Sequence, residues 1–401
     1  KKMAMSIIVR MAEISKAEKL LDIVGAHIDS TVYIGDAGLE FAEKLASLGA
    51  KVSVPTTLNV SGIDEHHWQE WSVSSEWANP AHRQMIAYQS MGTIPTWTCA
   101  PYQAPTKPNF GDQIAWGESN AIVFANSVIG ARTERYPDLF DICCAITGRA
   151  PAIGLHLTEN RAGEILFRLV DISEELQKSD DFYPVLGNLI GKLALDKIPV
   201  IDGMTVTPTD DQFKAFGAGA ASSGGVAMFH VVGITPEAST IEDAFHGNEP
   251  AQIIDVTMDM LRESRQALNH TNSSKLDMVA VGCPHLSLVE YKKLASLVKG
   301  KEKHPDVQFL ITSNRAMTQL AQEAGILPLL KDFGVKITVD TCSLTSPMLP
   351  PEIKKMMTNS AKHSYYSPGL LGKDVAFGSL EDCVNSAVAG HIIQDESLWK
   401  K

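Results

Sequence analysis

No Cys-x-x-Cys pair occurs in the sequence, so the commonest spacing signal for a thiolate metal site is missing. No uninterrupted apolar run approaches the roughly 18 to 20 residues that a membrane-spanning helix needs. The opening stretch, KKMAMSIIVRMAEISKAEKLL, carries charges throughout and reads as an amphipathic helix, so no membrane partner is expected. Positive charge is scarce: 35 Lys and Arg stand against 47 Asp and Glu, a formal net charge of -12. That balance gives no broad attraction for phosphate backbones, and nucleic acid is not an expected partner. The small-residue run GAGAASSGG at 217–225 lacks the terminal Gly-Lys-Ser or Gly-Lys-Thr of a phosphate loop, leaving tight turns and close backbone approach as its expected use. Six unevenly spaced cysteines in 401 residues do not make a disulfide scaffold, and a cytoplasmic location is expected.

What is present is an ordinary globular mixture, 44% apolar and 20% charged, in a chain too long for one simple core. Strand candidates around 27–34 and 50–55 flank a helical pattern at 36–48. From Thr56 to Pro108 several Trp and a Pro-rich run, TIPTWTCAPYQAPTKPNFGD, interrupt regular structure, and long irregular segments often line sites. A small-residue helix is expected over 118–129, strands over 151–157 and 164–170, and a helical region over 172–194. The last third has the strongest periodicity. Strands at about 276–282, 307–312, 335–340 and 374–377 alternate with helices at about 286–298, 314–323, 351–358 and 380–391, which describes a doubly wound, mainly parallel α/β domain. Three lobes are expected: an N-terminal α/β lobe at 1–150 with the irregular segment, a middle α/β lobe at 151–270, and a C-terminal doubly wound lobe at 271–401.

In such sheets ligands gather outside the carboxyl ends of the strands. Cys283 follows LDMVAVG and Cys342 follows VKITVDT, so both belong at such an edge. Cys99 lies in the irregular segment. Cys143 and Cys144 lie in a helix-like segment whose neighbouring side chains diverge by about 100°, which suits buried thiols. Cys383 follows a possible capping box at Ser379 and Asp382. Context alone leaves Cys99, Cys283 and Cys342 open between packed thiols and metal ligands.

Several blocks together resemble the large subunit of aconitase X, a divergent group of the aconitase superfamily. They are IGDAGLEF at 34–41, VPTTLN at 54–59, TCAPYQ at 98–103, FGDQIAWGESNAIVFANSVIGARTER at 110–135, TGRAP at 147–151, GLHLTENR at 154–161, GCPHLS at 282–287 and NSAKHSYYSPG at 359–369. The resemblance covers nearly the whole chain. It implies an aconitase-like, multi-lobed α/β body with doubly wound, mainly parallel sheets and a cofactor cleft, working as a hydro-lyase. The block at 111–143 resembles the bacterial branch, which points to cis-3-hydroxy-L-proline as substrate and Δ1-pyrroline-2-carboxylate as product. A phosphomevalonate dehydratase large subunit is the second enzyme reading, and a non-catalytic small-molecule binding or assembly protein is the reading from another class.

The resemblance further implies three cluster-binding cysteines, placed at Cys99, Cys283 and Cys342 with Cys383 in reserve. It implies an iron-sulfur cluster, two-iron in preference to four-iron or three-iron. It also implies a small partner subunit that carries a swivelling domain and the proton-abstracting serine. His285 and Glu118 are the expected proton-transfer groups. His156 and His363 are weighed beside them, His156 as strand packing and His363 as a surface residue. Asn59, Ser119 and Asn120 are expected to orient polar substrate atoms, Arg132 and Lys362 to pair with a carboxylate, and Gly35 and Asp36 to form a turn entering a helix near the substrate.

Overall fold

A computed structural model describes residues 1–271 and 273–400. The chain forms two compact, discontinuous units: 1–163 with 227–248 and 340–348, and 164–226 with 249–339 and 349–401.

The first unit is built around a three-stranded parallel sheet in the order Thr56–Leu58, Gly25–Ile28, Ile114–Trp116. Ile28 lies level with Leu58, and His27 with Trp116, so all three strands end at one edge. The helix Asp36–Ser47 forms where its apolar spacing predicts it, with Leu39, Ala42 and Leu45 buried. It packs against a helix the sequence reading does not anticipate, Ser75–Ser90, inside the segment expected to be irregular. This helix escapes notice because its buried face is Ala78, Ala81, Gln84, Met85, Ala87 and Tyr88, a stripe too small and polar for the usual periodicity. Pro80 stands within it. Ser74 caps it by accepting from the Trp77 N–H.

The expected helix at 118–129 is α-helical over Ser119–Phe124 and continues as a π-turn over Ala125–Ile129. Such turns arise where a helix carries one extra residue per turn, often beside functional sites. Residues 151–157, expected as a strand, instead hold the end of a short strand, Arg149–Pro151, and a single 3-10 turn.

The second unit holds a five-stranded parallel sheet in the order Val335–Val339, Gln308–Ser313, Met278–Val281, Lys355–Thr358, Asp374–Phe377. Four of these strands coincide with the predicted ones. Residues 351–358 differ: Lys355–Thr358 is a strand where a helix was expected, and the helix follows at Ala361–Leu370. Met356, Met357 and Thr358 are all buried, because the segment is an inner strand covered on both faces, where alternation disappears. One face packs on Val279, Leu294, Phe309, Leu330, Ala376 and their neighbours, and Cys383 is fully buried among them.

A second, smaller sheet pairs Ile165–Leu169 in parallel with Pro199–Asp202 and Gln252–Val256. Beside it the helices Phe182–Ala194 and Asp210–Ser223 pack closely. The small-residue run is thus mostly helix, not turn, and the expected close approach is made helix to helix. A Cβ on Gly187 would lie 2.2 Å from the Phe216 carbonyl oxygen, and one on Gly219 would lie 2.9 Å from that of Pro184. Among the described residues, no helix is long and apolar enough to cross a membrane.

Candidate active site

One step beyond the common strand edge of the first unit stand Asp29, Asn59 and, after Gly117, Glu118. Asp29 is not among the residues singled out from sequence. Its backbone N–H donates to Asp141 Oδ2 at 2.6 Å, and the Ser30 hydroxyl donates to Asp141 Oδ1 at 2.8 Å. The Asp141 carboxylate is fully buried. Burial raises its pKa to about 6, against the four donors from Asp29, Ser30 and Ile142 that favour its charged form. Gly117 is needed here because a Cβ would meet Asp29 Cβ at 2.7 Å and Asp141 Oδ2 at 2.8 Å. Across the edge, Asn59 Nδ2 donates to Asp29 Oδ1.

Glu118 caps the helix that starts at Ser119. Its carboxylate accepts from Ala121 N and Asn120 Nδ2, both at 2.8 Å, and from the Ser119 hydroxyl at 3.3 Å. Asn120 is equally engaged: Nδ2 also donates to the Cys99 carbonyl at 2.7 Å, and Oδ1 accepts from Tyr102 Oη at 2.8 Å. These two residues hold the Cys99 loop. Thr98 N–H reaches the Leu58 carbonyl at 3.1 Å, placing Cys99 just past the end of that strand. The segment 340–348 joins the same edge through Ser61 N–H to the Asp340 carbonyl at 2.6 Å. Cys342 follows, and its sulfur accepts the Leu344 N–H at 3.4 Å. Cys99 and Cys342 therefore both belong to the carboxyl rim of this sheet.

Gly35 has φ +145°, a conformation open to glycine, and caps the helix at Asp36, whose carboxylate accepts from Tyr33 Oη at 3.1 Å. Arg132 is not brought to the rim. It bridges to Gln113, before the strand Ile114–Trp116 and so at the opposite end, and its Nη1 donates to Thr158 Oγ1 at 2.7 Å and the His156 carbonyl at 3.3 Å. His156 is buried between Tyr136 Oη and Gln113 Oε1, and burial lowers its pKa to about 4. It is a packed, neutral imidazole.

In the second unit, the strand order changes direction between Met278–Val281 and Lys355–Thr358, and in open α/β sheets that switch point is where ligands bind. Cys283 follows the first of these strands, and Asn359, Ser360 and Ala361 follow the second. They line one small pocket with Lys214, Pro284 and Glu290. Gly282 allows the turn: its φ is +97°, and a Cβ would lie 2.1 Å from the Thr312 carbonyl oxygen.

Beneath this loop lies a buried charge cluster absent from the sequence reading. Lys214 Nζ meets Asp211 at 2.9 Å, Glu290, and the His285 carbonyl at 3.3 Å. Burial alone would push the ammonium down, but Glu290 and Asp211 overcome it and hold Lys214 charged. Ser287 completes the cluster, donating its hydroxyl to Asp211 at 2.7 Å. His285 is buried, and Lys362 is half-buried on the first turn of the following helix. His363, expected at the surface, is buried against Ser367, its pKa lowered by burial to about 4.

Burial divides the six cysteines. Cys99, Cys283 and Cys342 are half-buried, whereas Cys143, Cys144 and Cys383 are fully buried. Burial pushes the Cys144 and Cys383 thiols well up and that of Cys143 to about 12, so these are packing groups. The reserve position at Cys383 is therefore apolar core. Among the described residues, no three His, Cys, Asp or Glu side chains are gathered as a site for a lone metal ion.

Family models for the first, second and third domains of aconitase X match residues 1–159, 163–266 and 276–389. The chain belongs to the aconitase X family. Two relatives named cis-3-hydroxy-L-proline dehydratase, from Pseudomonas aeruginosa and Hypocrea jecorina, are 45% and 44% identical over 99% and 97% of this chain. The chain spans about two thirds of their length, 69% and 66%. A phosphomevalonate dehydratase large subunit of Methanocaldococcus jannaschii is 34% identical over 94% of this chain and 93% of its own. The crystal structure of Thermococcus kodakaraensis aconitase X in its holo-form superposes with a TM-score of 0.86 at 33% identity, covering 96% of this chain and 94% of that one. The α/β body with mostly parallel sheets is thus the aconitase X fold.

Proposed function

We propose that this chain is the large-subunit part of a hydro-lyase that removes water from cis-3-hydroxy-L-proline to give Δ1-pyrroline-2-carboxylate. The observation that carries the reading is the 45% identity to a hydroxyproline dehydratase over nearly the whole chain, against 34% to a phosphomevalonate dehydratase large subunit over almost the same span. A small partner, or a further region like the remaining third of those dehydratases, supplies the proton-abstracting serine.

Cys99, Cys283 and Cys342 are the proposed thiolate ligands of an iron-sulfur cluster, with two irons favoured. The donor chemistry fits: these are the half-buried thiols, soft ligands for iron, and the amide N–H on Cys342 sulfur stabilises thiolate charge. A cluster held by these thiolates would supply Lewis acidity toward substrate oxygens.

The chain's own residues then hold the substrate in place. Asn59 presents polar atoms at the rim of the first unit, and Gly35 and Asp36 form the helix entry proposed to contact the substrate. Asn120, and Glu118 through it, act by their grip on the Cys99 loop, while Ser119 orients polar substrate atoms. Lys362 pairs with a substrate carboxylate, and His285 passes a proton to the departing hydroxyl. Arg132 is left out of the proposed substrate contacts because it stands at the opposite end of that sheet, where its Nη1 donates to His156 and Thr158.

The test is an assay of both substrates with the anaerobically reconstituted enzyme and its partner. Turnover of cis-3-hydroxy-L-proline alone is expected. Turnover of phosphomevalonate alone would overturn the substrate assignment.

A further inference from the structure

The turn that carries Cys283 is tied to its surroundings on two sides. On one side is the strand Gln308–Ser313. The Thr312 hydroxyl donates to the Gly282 carbonyl at 2.5 Å, and the Leu286 N–H donates to the Thr312 carbonyl at 3.2 Å. The Ser313 hydroxyl donates to the Leu286 carbonyl, also at 3.2 Å. These bonds grip the two ends of the turn, with Cys283, Pro284 and His285 between them. On the other side is Lys214, on the helix Asp210–Ser223, whose Nζ donates to the His285 carbonyl at 3.3 Å. Lys214 and Cys283 line the same small pocket.

The Lys214 ammonium is fully used. It has three N–H donors and no acceptor, and three acceptors stand around it: Asp211, Glu290 and the His285 carbonyl. With no donor to spare for a substrate oxygen, it acts on the turn. Its aim is fixed by carboxylates that are themselves anchored. Glu290 accepts the Ser287 N–H at 2.8 Å, and Asp211 accepts the Ser287 hydroxyl at 2.7 Å. The Ser287 hydroxyl also accepts the Glu290 N–H at 3.1 Å, closing the capping box that starts the helix Leu288–Val298. That box forms without Lys214, and burying a charge costs more than burying a neutral donor. What the 2% exposed lysine adds is a fixed point in the middle of the turn.

We propose that Lys214 is a positioning residue for the reaction: its ammonium holds the turn at 283–285 in the shape that presents the Cys283 thiolate to the cluster and the His285 imidazole to the substrate. This rests on the reading of Cys283 as a cluster ligand given above.

The test follows iron release to a chelator from the anaerobically reconstituted holoenzyme with its partner, together with the visible spectrum of the cluster, kcat and KM. Lys214→Met is expected to release iron on the order of 10-fold faster than wild type, with a shifted spectrum and a kcat lowered about 10-fold at a KM within about threefold. Cys383→Ala, a core variant of the same unit, controls for lost stability and should release iron at the wild-type rate. A folded Lys214→Met with wild-type iron release and spectrum overturns the proposal, as does a Cys383→Ala that releases iron equally fast. Should Lys214→Met fail to fold, Lys214→Met/Glu290→Gln decides, because it removes one of the two unpaired carboxylates and still lacks the donor to His285. Faster release from it supports the role, and wild-type release overturns it. If Cys283→Ala keeps its full iron content, the ligand reading fails and this inference with it. Iron loss in Cys283→Ala with wild-type release in both Lys214 variants sinks the inference alone.

Discussion

Asn120 donates its side-chain amide to the backbone carbonyl of Cys99 at 2.7 Å, so a helix start 21 residues downstream fixes the loop that carries the thiol. The same amide nitrogen also meets Glu118 at 2.8 Å. Replacing Asn120 with Ala should loosen this loop without touching a thiol. Anaerobically purified N120A should lose iron severalfold faster than wild type on dilution, followed by absorbance and iron analysis. An unchanged rate would show that the loop is held by other contacts.

Single Cys→Ala replacements should divide as burial does. Iron per chain should fall for Cys99, Cys283 and Cys342 and stay at the wild-type level for Cys383. The Cys383 variant should instead lose about 1 to 2 kcal/mol of stability, as expected for a small cavity in a packed core. Iron loss in the Cys383 variant with retention in the Cys99 variant would reverse the assignment.

Lys214 is 2% exposed with two carboxylates around it. Lys214→Met leaves the half-buried Glu290 and Asp211 without their cation, at a cost of about 1 to 3 kcal/mol. Adding Glu290→Gln should recover part of that loss in denaturant unfolding. A single variant as stable as wild type would mean that water compensates the carboxylates.

Gly187→Ala should destabilise, although Ala is the better helix former by about 1 kcal/mol. The new methyl would lie 2.2 Å from the Phe216 carbonyl oxygen, a backbone atom that cannot swing away. Overpacking of this kind costs about 1 to 3 kcal/mol or more. A rise in melting temperature would refute the close helix contact.

Acid should weaken the fold through histidine. Burial lowers the pKa of His27, His156 and His363 from 6.5 to about 4. A folded pKa below the unfolded one contributes stability that is present above pH 6.5 and lost as pH falls toward 4. Each accounts for about 2 kcal/mol lost by pH 5. Asp141 acts in the opposite direction, because its raised value of about 6 makes protonation favour the fold, by about 1 kcal/mol at pH 5. The net expectation is a clear fall in melting temperature from pH 7 to pH 5, smaller in His363→Gln. A flat profile would contradict it.

The sequence by itself determined the alternating strands and helices of the last third, because each element's period is written in residues a few places apart. It also placed Cys283 just after a strand, and the blocks shared with aconitase X identified the family. Lys355–Thr358 carries no strand signal in sequence because an inner strand buried on both faces shows no alternation, and Ser75–Ser90 carries no helix signal because its packed face is small and polar. The environment of the candidate site was decided by tertiary structure. Asp29 gains its position from Asp141, 112 residues away, and its partner from Asn59, 30 residues away. Lys214 meets Glu290 across 76 residues. Local patterns record propensity and burial, whereas a hydrogen bond between distant carboxylates and amides exists only once the sheet has set its register.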